Sequence, residues 1–214
     1  QAAIEAREEA LNEAEGPEVE SLDGIWVVDT EIGVFDERCL TEVCGSSFVG
    51  FRIDEELVGI GGKTVVGRTP GLNGQFTIDG TRILSSGDLS TQDAIPTVIA
   101  DMTRLVTDDA SRNNAIRRQA IETDKFPEAS FVITEPIDFS LETDLENGFE
   151  TEAVGDLTIH GVTRQEIILL NVSFDGSRVL VYGELGPITL SDYEIEKPRS
   201  AVVLSVENEA IMEF

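Results

Sequence analysis

His160 is the only histidine of the chain and the first side chain to consider for acid–base chemistry. A catalytic histidine needs a nucleophile or a metal co-ligand within hydrogen-bond reach. Asp156, four residues earlier, falls on the same face of a predicted strand but too far along it to form a dyad. Gly161 follows directly and favours a tight turn. The sequence therefore favours a structural role for His160 in that turn, with a headgroup contact or catalysis as alternatives.

The segment Gly62-Lys63-Thr64 imitates the end of a phosphate-binding loop. The complete motif requires glycine at position 57, where this chain has leucine, and a helix after the lysine. Val65 and Val66 favour a strand instead. The sequence therefore argues against a nucleotide site, and it contains no nucleophile–base pair that would indicate a hydrolase.

Cys39 and Cys44 are the only cysteines, with four residues between them. That spacing is wrong for a redox Cys-x-x-Cys motif, and two cysteines with one distant histidine make a poor zinc site. A close, even pair is compatible with a disulfide in an exported protein. We therefore expect a disulfide that closes a small loop; free buried thiols and a metal site are the alternatives.

Arg112, Arg117 and Arg118 form the densest basic cluster of an acidic chain. Local pairing with helix neighbours such as Asp108 or Glu122 is one interpretation of the cluster. The other is a polar collar near the mouth of a cavity, where the guanidinium groups would contact a ligand headgroup.

The charge of the chain is extreme, since 42 acidic and 15 basic residues give its 214 residues a net charge of −27. So acidic a surface should repel nucleic acid and anionic lipid headgroups. No loop has the Asp-x-Asp-x-Asp-Gly pattern of an EF-hand, so solubility explains the acidity better than calcium binding does. We expect no metal and no cofactor other than a bound lipid.

Two parts of the chain differ in composition. Residues 1–23 carry eight acids and one arginine, and their apolar stripe is too thin to bury, so we predict an acidic linker or weak helix there. Residues 24–214 read as one β domain, with an acidic excursion between Asp138 and Glu152. No apolar run approaches the ~18 residues of a membrane span.

Short runs rich in Val, Ile, Thr and Phe, punctuated by Gly, Asp and Asn, indicate strands. The predicted strands are 24–30, 47–54, 64–66, 74–79, 81–90, 97–103, 130–136, 153–159, 163–174, 178–185, 188–193 and 201–214. One core helix is predicted over 110–122, with Ile116, Ala120 and Ile121 on one side. Because strands and helices do not alternate, we predict an antiparallel sandwich or closed barrel.

The runs 167–170 and 202–204 are apolar on both strand faces, whereas a strand covered on one side should alternate. A barrel that curls around an apolar cavity, with helices or loops outside, would explain both faces. Chosen by strand position and size, the candidate cavity residues are Phe48, Phe76, Val98, Met102, Phe131, Ile133, Leu157, Ile159, Ile168, Leu170, Val181 and Leu190.

Five segments, taken in order, are informative: Gly24-Ile25-Trp26-Val27-Val28-Asp29, Ser47-Phe48-Val49-Gly50-Phe51, the 112–117 helix, Phe126-Pro127 before a strand, and Leu157-Thr158-Ile159-His160-Gly161-Val162-Thr163-Arg164. Together they resemble the YceI-like family of lipid-binding, lipocalin-like barrels found outside the bacterial cytoplasm. The resemblance covers about residues 24–214. Asn113 and Ala115 replace an Asp and a His that members often carry in the helix.

The resemblance implies an antiparallel, lipocalin-like β-barrel with one short helix that sequesters or transports a long apolar lipid of polyisoprenoid, quinone or fatty-acyl type. Each buried CH₂ group of such a chain contributes ~0.8 kcal/mol. Arg112, Arg117 and His160 would then be headgroup contacts. The resemblance also implies an extracytoplasmic bacterial protein with an anchor upstream of residue 1, and a binding protein that is not an enzyme. The alternative is an extracellular adhesion module with a filled core.

Overall fold

The computed structural model describes residues 21–41, 44–141, 148–174, 177–200 and 202–214. The predicted linker at residues 1–20 and most of the predicted acidic excursion after Asp138 lie outside the described residues. Within the described ranges, no helix has the length and apolar character needed to cross a membrane.

All strand pairs of the described chain are antiparallel and belong to one sheet. The strands are β1 (Gly24–Val27), β2 (Val49–Leu57), β3 (Gly61–Thr69), β4 (Leu72–Asp79), β5 (Arg82–Ile83), β6 (Thr97–Asp101), β7 (Glu128–Ile133), β8 (Ile137–Asp138), β9 (Phe149–Ile159), β10 (Val162–Phe174), β11 (Val179–Thr189) and β12 (Val203–Glu213). The spatial order is β3-β2-β12-β11-β10-β9-β7-β6-β4-β5-β8, and β1 pairs with β4. This architecture confirms the predicted antiparallel all-β fold with one short helix.

The sheet curls but its ladder of hydrogen bonds does not close into a ring, because β3 and β8 stand at its two ends. A single two-bond bridge fastens the β3 edge to the chain that follows β6. Arg68 N–H donates to the Val106 carbonyl at 2.9 Å, and Val106 N–H donates back to Arg68 at 3.0 Å. The side of the curled sheet that the strands leave open is therefore covered by the irregular and helical segment 102–121.

The core helix begins at Ala110 as predicted, but its second half has a different geometry. The α-helix α1 covers Ala110–Ala115, and its first turn is capped by the Asp109 side chain, which accepts from Arg112 N–H at 2.8 Å. A π-helical turn, Ile116–Ala120, continues it. Glu122 ends the helix with φ of 51°. Ile116 and Ala120 are buried, so the predicted apolar face is confirmed.

The hairpin between β9 and β10 turns at His160-Gly161. The ladder pairs Ile159 with Val162, so these two residues form the entire loop. Their φ angles are 53° and 76°, which is the left-handed geometry that a two-residue hairpin requires. The structural turn role favoured for His160 is thus what the structure shows.

One predicted strand was much too long, and another is divided in the structure. The predicted strand 81–90 is reduced to β5, Arg82–Ile83, because Ser85, Ser86, Gly87 and Asp88 form turns held by short-range bonds such as Ser85 Oγ to Asp88 at 2.6 Å. The predicted strand 188–193 is split, since β11 extends to Thr189 and Leu190–Tyr193 is a 3₁₀ turn.

The double-sided apolar runs are covered on one face only. On β10, Ile168 is buried in the core, whereas its neighbours Ile167 and Leu169 are 53% and 60% exposed. The expected outer layer of helices or loops is therefore absent over this part of the described sheet. Leu180 and Tyr182 of β11 are also exposed on that side.

Trp26, the only tryptophan, joins β1 to the residues before it and to the end of β10. Its indole N–H donates to the Leu22 carbonyl at 2.9 Å, and its ring meets Phe174 edge-on with centroids 6.4 Å apart. Leu22 is itself buried. Among the residues that the structure describes, packing is thus observed from Leu22 onward.

Candidate ligand cavity

A cavity of about 110 Å³ lies between the concave face of the sheet and the helical segment. Its walls come from β2, β12 and β11 on the sheet side and from the 3₁₀ and π-helical turns on the other. The lining residues are Val49, Gly50, Phe51, Ile53, Glu55, Val65, Thr69, Met102, Leu105, Arg112, Ile116, Ala120, Ile121, Ala129, Ile159, Ile188, Leu190, Ile195, Pro198, Val206, Ala210 and Met212. Nearly all are aliphatic, so the space suits an apolar ligand.

Strand alternation builds the β2 wall. Val49, Phe51 and Ile53 point to the cavity at every second position, as a pleated strand requires. Phe51 lies directly across from Gly67 of β3. A Cβ atom at Gly67 would stand only 2.4 Å from the Phe51 ring, so glycine at that position leaves room for the ring.

One ion pair interrupts the apolar lining. Glu55, the next inward position of β2, is only 7% exposed. Arg112 of α1 donates from Nη2 to Glu55 Oε1 at 2.6 Å. Its other terminal nitrogen, Nη1, donates to Asp108. The Arg112 guanidinium is therefore held by two carboxylates at the cavity wall.

Lys63 extends this polar group to the surface. Lys63 Nζ donates to Asp108 Oδ2 at 2.6 Å. That hydrogen bond, together with the charge of Arg112, holds the pKa of the Asp108 carboxyl below its ordinary value. Two cations and two carboxylates (Lys63, Arg112, Asp108 and Glu55) thus neutralise one another at this end of the cavity, and we call them the polar end.

Four of the residues predicted for the site line the cavity: Met102, Ile159, Leu190 and Arg112. Five others, namely Phe131, Ile133, Leu157, Ile168 and Leu170, pack in the hydrophobic core that surrounds the cavity without lining it. Whether any of them binds a ligand stays a prediction.

The remaining predicted cavity residues lie elsewhere. The Phe48 ring lies beneath the Arg68 guanidinium, 4.3 Å from its centroid. Phe76 pairs with Trp26 across β4 and β1, and Val98 pairs with Phe131 across β6 and β7. Val181 is 41% exposed on β11. A residue's central position in its strand does not show whether the helical segment covers that part of the concave face. These four residues therefore lie outside the cavity although they were predicted to line it.

His160 and Arg117 do not reach the cavity lining. The His160 ring bridges two elements, with Nδ1 3.2 Å from the Tyr193 carbonyl oxygen and Nε2 3.2 Å from Glu122 Oε2. Phe126 packs against it edge-on at 4.4 Å. Arg117 Nε donates to the Asn113 carbonyl at 3.2 Å within its own helix. The His160 ring therefore links the end of the helix to the Leu190–Tyr193 turn, whereas Arg117 bonds within its own helix.

Tyr193, whose carbonyl faces His160, is among the most deeply buried side chains of the described chain. Its hydroxyl donates to Glu166 Oε1 at 2.7 Å. Burial, reinforced by this hydrogen bond, raises the pKa of the Tyr193 phenol. The phenol is thus neutral and structural at physiological pH.

The residues that sequence reasoning missed are those of the β2 and β12 walls and of the helix. On β12, Ala210 and Met212 are separated by the apolar Ile211, but on β2 the lining residues Val49, Phe51 and Ile53 alternate with polar or small neighbours. That period-two pattern was the available signal. The signal from Glu55 was misleading, because a glutamate in so acidic a chain is normally expected at the surface.

The predicted disulfide is confirmed, since Cys39 and Cys44 are bonded. Arg68 ties its loop to the sheet: the guanidinium donates to the Cys39 carbonyl and, from Nε, to Glu213 Oε1 at 2.6 Å. Among the residues that the structure describes, no cluster of three or more His, Cys, Asp or Glu side chains could hold a metal ion.

Two solved structures share this fold. A polyisoprenoid-binding domain from Saccharophagus degradans, described as implicated in plant cell wall breakdown, is 16% identical with a TM-score of 0.56, over 78% of this chain and 89% of that one. BcnA from Burkholderia cenocepacia is 15% identical with a TM-score of 0.53, over 78% of this chain and 92% of that one. No curated protein matches the chain.

The sequence itself matches the profile of the YceI-like domain over residues 44–214. The match begins after β1, which nevertheless pairs with β4 in the same sheet. Because it covers most of the chain and agrees with the fold, the chain belongs to the YceI-like family.

Proposed function

We propose that this protein binds an apolar lipid chain of the isoprenoid type in the cavity and acts as a carrier or sequestering protein, with no catalytic role. The observation that carries the proposal is the lining itself, which is apolar apart from the polar end and Thr69. Each CH₂ group placed there would contribute ~0.8 kcal/mol, so a prenyl chain needs few polar contacts to bind. The polyisoprenoid-binding description of the S. degradans domain supports the same ligand class.

The size of the cavity limits what it holds without rearrangement. Its volume of about 110 Å³ is below the roughly 150 Å³ of an engineered cavity that accepts benzene. A longer chain therefore requires a wall to move. The movable wall in this proposal is the π-helical turn, whose Ile116 and Ala120 face Ala210 of β12 across the cavity.

The polar end favours an uncharged polar headgroup, such as a quinone or an alcohol, over a phosphate. Arg112 already donates to Glu55 and Asp108, and a phosphate beside it would face the buried Glu55 carboxylate. Like charges at close range in a poorly solvated site are strongly unfavourable. A carbonyl or hydroxyl oxygen could accept from the guanidinium without that repulsion.

The disulfide supports an extracytoplasmic location, because such bonds persist in oxidising compartments. A second candidate function is a surface interaction module. The exposed row formed by Ile167, Leu169 and Tyr182 favours it, since contiguous apolar surface often marks an interface.

The deciding experiment combines extraction with a matched pair of ligands. Mass spectrometry of an organic extract of the purified protein should detect a prenyl lipid. Titration with geranylgeraniol and geranylgeranyl phosphate, which share one chain and differ in the head, should show tighter binding of the alcohol. An empty extract and no binding of either probe would favour the interaction module.

A further inference from the structure

The turn between β2 and β3 exposes two large aliphatic side chains. The ladder pairs Leu57 with Gly61, so the turn consists of Val58, Gly59 and Ile60. Val58 is 53% exposed and Ile60 is 78% exposed. Turn geometry demands only the glycines, whose φ angles of 75° and 96° at Gly59 and Gly61 are left-handed. Turns usually carry polar side chains at the other positions, so valine and isoleucine here call for an explanation.

The start of β12 adds two more exposed aliphatic residues beside this turn. Val58 N–H donates to the Val202 carbonyl at 3.0 Å, which places the two segments side by side. Val202 and Leu204 are 63% and 62% exposed. We call Val58, Ile60, Val202 and Leu204 the apolar tip.

The two stretches of chain that form the apolar tip contain no acidic residue, although the exposed Glu56 borders them in the sheet. About one residue in five of this protein is Asp or Glu. Residues 57–63 and 197–206 nevertheless contain none, while they carry Lys63, Lys197 and Arg199. Lys197 and Arg199 are exposed. Because Lys63 is paired with Asp108, Lys197 and Arg199 are the cations that flank the apolar tip on a molecule whose net charge is −27.

The apolar tip adjoins the ligand cavity. Pro198 and Val206, which flank Val202 and Leu204 in sequence, both line the cavity. Glu55 pairs with Val206 and lies near the end of β2, three residues and thus roughly 10 Å of extended chain before Val58 in the turn. The polar end of the cavity and the apolar tip thus belong to the same end of the sheet.

We propose that the apolar tip docks on the surface of a lipid bilayer. Its four side chains would enter the interface between headgroups and acyl chains, and Lys197 and Arg199 would contact lipid phosphates. Apolar side chains beside basic ones are the combination that binds such interfaces. The acidic remainder of the surface would be repelled by an anionic membrane, which orients the molecule with this end toward it.

Charge argues for a bilayer and against a second copy of the chain. Two copies that met through their tips would each bring a net charge of −27, and that repulsion opposes self-association. A lipid surface offers a broad apolar layer under phosphate groups, which complements both the aliphatic and the basic residues.

The test is flotation of the full chain with vesicles of phosphatidylcholine containing a minor fraction of phosphatidylglycerol. The parent should float with the vesicles, and the double variant Val58→Ser/Ile60→Ser should lose about tenfold or more of that binding. Ile167→Ser/Leu169→Ser removes comparably exposed aliphatic area from β10 and should bind like the parent. Circular dichroism verifies that both variants fold.

Three results would overturn the docking proposal: a parent that never associates with vesicles, equal loss in both double variants, or a tip-dependent dimer in sedimentation velocity without vesicle binding. The lipid content of the cavity is measured separately by extraction. A protein that carries lipid but ignores vesicles would thus refute docking alone, and one that binds vesicles with an empty cavity would refute the carrier role alone.

Discussion

The Arg112 guanidinium and the Glu55 carboxylate meet at 2.6 Å in the wall of a largely apolar cavity. A buried ion pair is costly to assemble, because both charges lose water. The ion pair therefore matters more for which ligand headgroup the cavity accepts than for the stability of the fold. A ligand head that reaches this wall meets hydrogen-bond donors that are already shared with carboxylates.

Glu55→Gln should shift ligand preference toward anionic heads. The substitution leaves Arg112 with Asp108 as its carboxylate partner and a net positive charge at the polar end. We expect geranylgeranyl phosphate to gain affinity relative to geranylgeraniol, and unfolding in urea to show a loss of about 1–3 kcal/mol. Glu56→Gln, at the adjacent exposed position of β2, is the matched control. Unchanged preference in the Glu55 variant would contradict the proposed role of the pair.

Ala120→Phe should block the cavity. Ala120 is buried on the π-helical turn and faces the cavity, so a phenyl ring there occupies the space of the ligand. We expect prenyl-alcohol affinity to fall by about tenfold or more, measured by titration. Arg118→Phe adds the same ring at an exposed position of that turn and should bind normally. Full affinity in the Ala120 variant, once folded, would place the site elsewhere.

Protonation of Asp108 should lower the stability of the fold at acid pH. The hydrogen bond from Lys63 lowers the pKa of Asp108 in the folded chain, so the carboxylate stabilises the fold above its ordinary pKa of about 3.9. That contribution is lost as the pH falls below about 4 and through the lowered folded value. Asp108→Asn should therefore reduce stability at neutral pH and flatten the dependence of stability on acid pH, whereas Asp124→Asn, at an exposed position, should leave stability at neutral pH unchanged. Parallel denaturation curves for Asp108→Asn and the parent across this range would refute the assignment.

Loss of the disulfide should destabilise the domain modestly. The Cys39–Cys44 bond closes a very short loop, for which chain entropy predicts about 2 kcal/mol. Thiol titration of the denatured, unreduced protein should find no free thiol, and Cys39→Ala/Cys44→Ala should lower the urea midpoint accordingly. Detection of two free thiols would show that the bond does not form.

Deletion of residues 1–20 should leave the thermal midpoint nearly unchanged. The packed part of the described chain begins at Leu22, which accepts the hydrogen bond from Trp26. A fall of more than ~4 °C, equivalent to roughly 1 kcal/mol or more, would show that the deleted segment docks on the domain.

Local sequence patterns predicted the secondary-structure elements better than they predicted the residues that line the cavity. The β9–β10 hairpin followed from apolar alternation and His160-Gly161, and the helix face followed from Ile116 and Ala120. β5 came out shorter than predicted, because side-chain bonds such as that between Ser85 and Asp88 favour turns over a ladder. The propensities of the residues alone do not show whether turns or strand pairing will be the more stable structure there.

The cavity was harder to predict because it depends on which inward residues the helical segment covers. Leu170 and Met212 both belong to the core face, yet only Met212 lines the cavity. Glu55 is buried only because Arg112 approaches from a helix more than fifty residues away in sequence. The apolar periodicity within one β-strand contains no information about a partner so distant in sequence.

The placement of Trp26 makes the chain its own fluorescence reporter. The sole indole sits between Leu22 and Phe174 and is not part of the cavity lining. Its emission spectrum should therefore follow the melting of the β1 end and stay almost silent when a prenyl alcohol enters. A tryptophan introduced at Phe51 would supply the complementary signal, and comparison of the two spectra would separate local loading from global unfolding in a single cuvette.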